Sequence, residues 1–255
     1  RTANMNNLML NELTNFKSTR VFSDQPIDEQ IKRSILQTAT FAPTAGNMMM
    51  YAMIDVVDQS LKDQLSITCD NQPFIKTAPM VVVFCSDNHR FNTGARHFYN
   101  PDFKQPEMGD FLLAVSDTLI MAHHAVLAAH GYGIGSCYIG DILESIETHQ
   151  QLLQLPEHVI PIAMVVFGYP TQSQQDRVKP KRFDLDFVLS TNTYQEKKLS
   201  DHEKAVSKRN QAMNFHHIKA KEYYTDYGSR KLESEFMKEM NRSCEQIVKR
   251  FIKEK

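Results

Sequence analysis

Apolar positions along the chain fall into three kinds of run, and each predicts a different element. In "NNLMLNELTNFKS", Leu8, Leu10, Leu13 and Phe16 lie close to helical spacing and predict a first helix. "DQPIDEQIKRSILQTATFA" predicts a second, with Pro26 near its start and Asp28 as a cap ahead of Ile31, Ile35 and Leu36. "APTAGN" breaks that period with Pro43 and Gly46. "YAMIDVVD" predicts a strand and "QSLKDQLSITC" a short helix. The continuous apolar runs "APMVVVFCSD" and "VIPIAMVVFGYP" predict buried strands, the second ended by Gly168 and Pro170. Residues 88–108 are polar and aromatic without a period, and predict a mobile loop of the kind that covers a binding site. "DFLLAVSDTLIMAHHAVLAAHGYG" is apolar nearly all round, which predicts a central helix stopped by Gly131. "IGSCYIGD" reads as a short strand and turn, "ESIETHQQLLQL" as a helix ended by Pro156, and "TQSQQDRVKPKRFDLD" as a polar, basic loop. Residues 196–255 are rich in Lys and Glu, with helical spacing at Phe236, Met240 and Ile247. They predict a C-terminal helical extension that packs late or on a partner subunit. The whole is a mixed α+β layer fold, with helices around a sheet of about four or five strands.

Composition narrows the class. The chain has 255 residues, of which 42% are hydrophobic and 23% charged, enough to bury a core within one domain spanning 1–255. A formal net charge of -1 gives no global attraction to nucleic acid or to an anionic membrane, so neither is expected as a partner. Four cysteines without CxxC spacing favour a reducing cytoplasm. The sequence carries no signal-peptide pattern, and no stretch approaches about 18 uninterrupted apolar residues, so no membrane span is expected. Residues 1–4, before Met5, read as an expression remnant.

Several segments carry candidate chemistry. Ser18 and Arg20 in "KSTRVFSDQPI" place a hydroxyl and a forked guanidinium together, which suits an anion clamp; a helix end with a solvated charge is the bland alternative. "VKPKR" sets Lys179, Lys181 and Arg182 around Pro180, either to hold a phosphate or as a solvated charged loop. "GYGIGSCYIGD" follows a long helix rather than a strand, which excludes a dinucleotide fingerprint but leaves glycines where a backbone can approach a flat ligand. "APTAGNMMMYA" offers Thr44 and Asn47 as hydrogen-bonding groups beside an adaptable run of Met. His123 and His124 are adjacent and face different sides, so no metal pair is expected. Cys137 reads as an inert thiol. GxSxG, HExxH and P-loop motifs are absent from the sequence.

Taken in order, these segments resemble the nitroreductase family of flavin enzymes, in particular its oxygen-insensitive NADPH nitroreductases and NADPH-flavin oxidoreductases. The resemblance runs from about Asn6 to about Gln195 and weakly onward. "KSTRVFSDQPI" is similar to the family's opening "RSxRxFxDxPI", "APTAGNMM" to its "APSxxNxQ" loop, and "CDNQPFIKTAPMVVVFC" to the segment carrying a flavin-contacting Gln. "GYGIGSCYIGDI" and "LPEHVIPIAMVVFGYP" resemble its glycine turn and strand, and "VKPKRFDLDFVL" its phosphate loop. Phe16, Met49 and Lys181 depart from the family pattern, where His or Arg, Gln, and Arg are usual.

The resemblance implies bound FMN and an intertwined homodimer with a mainly antiparallel sheet. Lys17, Ser18, Thr19 and Arg20 would grip the flavin, and Thr44 and Asn47 would reach it, Asn47 from the other subunit. Gln72 would bond the ring or ribityl chain, and Tyr138, Ile139 and Gly140 would present backbone to the ring. Lys179, Lys181 and Arg182 would bind its phosphate. Arg230 and Lys231, near where relatives use Arg, would favour NADPH over NADH. The implied activity is ping-pong hydride transfer from NAD(P)H to nitroaromatics, quinones or flavins, with the chemistry carried by FMN and no catalytic side chain. Alternatives are a specialised flavin reductase or dehalogenase, or a non-catalytic flavin-binding redox protein.

Overall fold

A computed structural model describes residues 8–215 and 217–252. The proposed remnant at residues 1–4 lies outside them. The chain folds as two compact units: residues 17–177 with 239–255, and residues 1–16 with 178–238. The sequence pattern suggested one domain, because no Pro- or Gly-rich linker marks the joints.

In the larger unit, four strands form one sheet: β1 (Tyr51–Asp55), β2 (Met80–Asp87), β3 (Gly135–Ile139) and β4 (Val159–Gly168), in the order β1-β2-β4-β3. Every pairing is antiparallel. β2 and β4 are buried along their whole length, as their unbroken apolar runs require. Central β4 contains Pro161, which has no N–H to donate. The β2–β4 register shifts at Phe84/Cys85, where Pro161 faces Cys85.

The helix Glu29–Ala39 begins where Asp28 accepts from the backbone N–H groups of Gln30 and Ile31, at 2.8 and 3.4 Å. The long helix Met108–Gly131 packs against this helix and the sheet. Its inner face carries Ala114, Thr118, Met121, Ala122, Ala125 and Ala129, all buried, and the small residues allow close approach. The sequence reading of this helix needs two corrections. Leu112, Leu113, Leu119 and Ile120 on the other face are exposed in the single chain. By length and composition the helix could also cross a membrane, though polar residues interrupt its apolar run; its buried face marks it as the core helix here.

A third correction concerns residues 88–108. Asn88–Phe98 is an α-helix, capped by Asp87, which accepts from Arg90 N at 2.8 Å; only the residues after it form a loop. The basic loop after β4 likewise contains short helices, Gln172–Asp176 and Leu185–Val188. The C-terminal helices appear as expected at Leu199–Gln211, Ala220–Tyr227 and Glu235–Lys249. From Glu239 on, the last of these belongs to the larger unit. There Ser243 Oγ donates to Leu143 O, Arg242 grips Glu147, and Ile247 and Phe251 join a core cluster with Phe111, Ile146, Ile160 and Ile162.

Candidate functional site

The site begins with two glycines that face each other. Gly135 on β3 and Gly168 on β4 are cross-strand partners. A Cβ on Gly135 would stand 2.3 Å from Thr19 Oγ1, and one on Gly168 would stand 2.6 Å from Phe22 Cδ1. Their missing side chains open a notch in which residues 19–22 cross the sheet. Thr19 N donates to Ser136 O at 2.8 Å, Ser23 N to Tyr169 O at 2.8 Å, and Phe22 bridges to Pro170. Buried Gln174 accepts from Arg20 N at 3.1 Å and donates from Nε2 to Ser18 O at 3.3 Å. Lys17 Nζ donates to the carbonyls of Gln175 and Arg177.

With its backbone held this way, the segment turns Thr19 inward and leaves Ser18 and Arg20 exposed. Both side chains lie close to the Cys137 thiol on β3. Burial raises the thiol's pKa, while Arg20 and Ser18 pull it down. Cys137 is followed by half-exposed Tyr138, by Ile139, whose side chain is buried, and by Gly140, where an added Cβ would meet nothing within 4 Å. A hydroxyl, a guanidinium and an open stretch of backbone therefore lie together along one strand.

Two loops of the same unit carry the other candidates. In residues 43–49, Thr44 Oγ1 donates to Asp117 Oδ2 and also accepts from Met49 N at 3.0 Å, and Ala45 N donates to Asp117 Oδ1 at 2.9 Å. Thr44 therefore braces the loop. Gly46, Asn47 and Met49 take left-handed backbone, and Asn47 is exposed. In residues 69–72, Asp70 and Asn71 are left-handed, and Gln72 Nε2 donates to Cys69 O at 2.9 Å. Nearby Glu144 is buried, with Oε1 unpartnered, and its pKa is pushed up to about 7, first by burial and then by Asp141, Asp70 and Glu239. Buried His149 bonds Ile142 O and Thr68 Oγ1, each at 2.9 Å, so it is a satisfied core histidine. No His/Cys/Asp/Glu group able to hold a metal occurs among the described residues.

A sequence model of the nitroreductase family matches residues 14–169, more than half the chain and the part that holds the notch, both loops and the whole sheet. The chain belongs to the nitroreductase family. Among similar proteins, an FMN reductase (NADPH) of Bacillus subtilis is 29% identical over 88% of this chain and 96% of that protein. An oxygen-insensitive NADPH nitroreductase of Salmonella typhimurium is 31% identical over 72% of this chain and 73% of that protein. Among solved structures, the NADPH:FMN oxidoreductase from Vibrio harveyi, complexed with NAD+, superposes with a TM-score of 0.79 at 26% identity, covering 95% of this chain and 98% of that one.

The remaining candidates of this nitroreductase lie beyond the matched segment, in the smaller unit. There Lys179 Nζ donates to Thr14 O, Lys181 O accepts from Arg209 Nε at 3.1 Å, and Lys181 and Arg182 are exposed. Arg230 pairs with Asp226 at 3.1 Å and lies 5.2 Å from the Tyr227 ring centroid, and Lys231 lies 5.9 Å from that of Phe236. Sequence reasoning missed Asp117, Gln174 and the Gly135/Gly168 notch. Asp117 had a signal, an acid within an apolar helix; Gln174 had none.

Proposed function

We propose that this nitroreductase is an NAD(P)H-dependent FMN oxidoreductase whose acceptors are nitroaromatics, quinones or flavins. The observation that carries this reading is the Ser18/Arg20 pair, fixed by the glycine notch beside the open backbone of Tyr138–Gly140. FMN presents an anionic phosphate at one end and a flat ring at the other, and this donor set fits such a molecule. When bound, FMN supplies the two-electron chemistry between a nicotinamide donor and the acceptor.

The chain's residues bind and orient. Arg20 and Ser18 offer charge-assisted and neutral donors, Thr19 anchors them, and Lys17 holds the segment against the end of the helix Gln172–Asp176. Tyr138, Ile139 and Gly140 present backbone toward the ring, and Gln72 and Asn47 are the further polar contacts. Lys179, Lys181 and Arg182 are proposed for the phosphate. We further propose a homodimer, supported by the exposed apolar face of the core helix at Leu112, Leu119 and Ile120, a surface that a monomer would leave in water. Four free thiols fit a reducing compartment, the cytoplasm.

The deciding experiment is the visible spectrum of the purified protein before and after anaerobic NADPH. Flavin bands that NADPH bleaches are expected. A protein that stays colourless after added FMN sinks the reading, and a bound flavin that NADPH leaves oxidised favours a non-catalytic flavin binder. The Arg230→Ala/Lys231→Ala double variant is expected to lose preference for NADPH over NADH. An unchanged ratio of kcat/KM values removes both residues from the nucleotide site.

A further inference from the structure

The turn that follows β3 holds a carboxyl oxygen that no donor meets. Glu144 is 8% exposed, and its Oε1 has no hydrogen-bond partner. A buried carboxylate without donors is costly, so the neutral acid is favoured. Three carboxylates add to that pressure, each from a different element. Asp141 belongs to the turn Gly140–Leu143, Asp70 to the 69–72 loop and Glu239 to the last helix, and all three raise the Glu144 pKa. The nearby cation is committed elsewhere: Arg242 pairs with Glu147 at 2.9 Å and with Glu239 at 2.7 Å. Two further titratable groups stay neutral, because burial raises the Cys69 thiol and lowers the His149 imidazole. Glu144 is therefore an acid that loses its proton at about pH 7.

Its backbone is pinned on both sides. Ser243 Oγ donates to Leu143 O at 2.6 Å and accepts from Ile146 N at 3.0 Å, and Glu239 Oε1 accepts from Ser145 N at 3.0 Å. Ser145, the left-handed N-cap of the helix Ile146–Leu152, makes no side-chain cap bond, so the last helix caps this one from about 95 positions away. The 69–72 loop is the softer neighbour: Asp70 and Asn71 are exposed and in left-handed backbone. Repulsion from an ionised Glu144 is relieved by moving that loop.

The loop carries Gln72, and the turn opens with Gly140. One imidazole joins the two: His149 Nδ1 donates to Ile142 O, and Nε2 accepts from Thr68 Oγ1, each at 2.9 Å. The spacing between two stretches that face the flavin is thus set by the groups around Glu144. We propose that Glu144 is a positioning residue for the flavin site: its neutral acid lets the 69–72 loop and the 140–143 turn close on FMN, and its carboxylate drives them apart. The proposal rests on the FMN reading of this site. FMN binding then takes up a proton, and affinity falls as pH rises through the range in which Glu144 ionises.

The test is titration of FMN into the full-length protein at pH 6 and 8.5, read by quenching of flavin fluorescence. Glu144→Gln stays neutral at both values. It is expected to match wild type at pH 6 and to bind about tenfold tighter than wild type at pH 8.5, the effect of roughly one unit of pKa change on binding. The phosphate of FMN titrates alike with every variant, so it cancels in this ratio. Asp70→Asn keeps the left-handed backbone, which Asn tolerates, and removes one like charge. It is expected to keep wild-type affinity at pH 6 and to recover part of the loss at pH 8.5. Calorimetry at pH 7.5 in two buffers of different ionisation enthalpy should show more proton uptake on FMN binding by wild type than by Glu144→Gln. Parallel affinities of wild type and Glu144→Gln at both pH values overturn the proposal, as does equal proton uptake. A Glu144→Gln protein already weakened at pH 6 also overturns it, because the residue would then only pack. An Asp70→Asn profile identical to wild type removes the loop from the mechanism and overturns it too. Failure of the FMN reading shows separately, as a wild type that binds no FMN at either pH.

Discussion

Two stretches of this chain carry similar charge and are held in opposite ways. Residues 17–20 lie in a notch, with Thr19 N, Arg20 N and the Ser18 carbonyl all hydrogen-bonded and Gln174 bracing both sides of the clamp. Residues 179–182 rest on Lys179 Nζ to Thr14 O and on one bond from Arg209 to the Lys181 carbonyl, and Lys181 and Arg182 stand exposed. A donor whose backbone is already fixed loses less entropy when it meets a ligand, so equal charges need not contribute equally. With both stretches proposed for the flavin, the first is expected to set its affinity and the second to add mainly long-range attraction, which salt screens.

Gly135→Ala is the harshest way to break that contrast. The new Cβ would meet Thr19 Cβ at 2.7 Å, and a β-branched side chain cannot swing aside. We expect a loss of about 2 kcal/mol in stability and purification without flavin, read by urea unfolding and by absorbance. A variant that keeps its flavin and its unfolding midpoint would show that the notch is not what positions the clamp. Arg20→Ala comes next, with flavin Kd expected to rise roughly thirtyfold, about 2 kcal/mol, for a lost charge-assisted contact. Stability should change little, because the side chain is exposed.

Glu144, just beyond the strand that carries Tyr138, supplies a pH test of the same region. Its native pKa, about 7, lies above the ordinary carboxylate value, so the folded protein binds this proton more tightly than the unfolded chain. Its stabilising effect is therefore full below about pH 4.5 and lost as pH rises through about 7. Glu144→Gln, which stays neutral, is expected to be more stable than wild type at about pH 8 by about 1 kcal/mol, and to show no such advantage near pH 4.5. Equal urea midpoints at high pH would mean that Glu144 finds a partner in solution. The smallest effect belongs to Lys181→Ala: about a threefold rise in flavin Kd that disappears at high salt. A loss as large as that of Arg20→Ala would erase the distinction between the two stretches.

What the sequence revealed follows from which forces act locally. The strands and core helices were legible because burial writes a period or an unbroken apolar run, and the Asp28 cap because capping is a one-turn interaction. The helix Asn88–Phe98 was not, because its polar residues and Gly94 hide a period and its cap, Asp87, reads as the end of a strand. The proposed clamp residues stand out in the sequence and by resemblance; their support does not. Gly135 and Gly168 meet only through strand register, and Gln174 reaches Arg20 and Ser18, 154 and 156 positions away in the chain. Thr44, expected as a ligand, also holds Asp117, a pairing that only tertiary structure brings together. The exposed leucines of the core helix escaped notice for a related reason: an all-round apolar pattern does not say which face a second chain would cover.

The thiol beneath Ser18 and Arg20 bears on chemical durability. A quinone is an electrophile as well as an oxidant, and it adds to thiolates far faster than to thiols. Burial raises the pKa of all four cysteines, Cys85 to about 12, and Cys137 keeps its proton even with a guanidinium against it. Each sulfur is thereby biased toward the thiol, the less nucleophilic form.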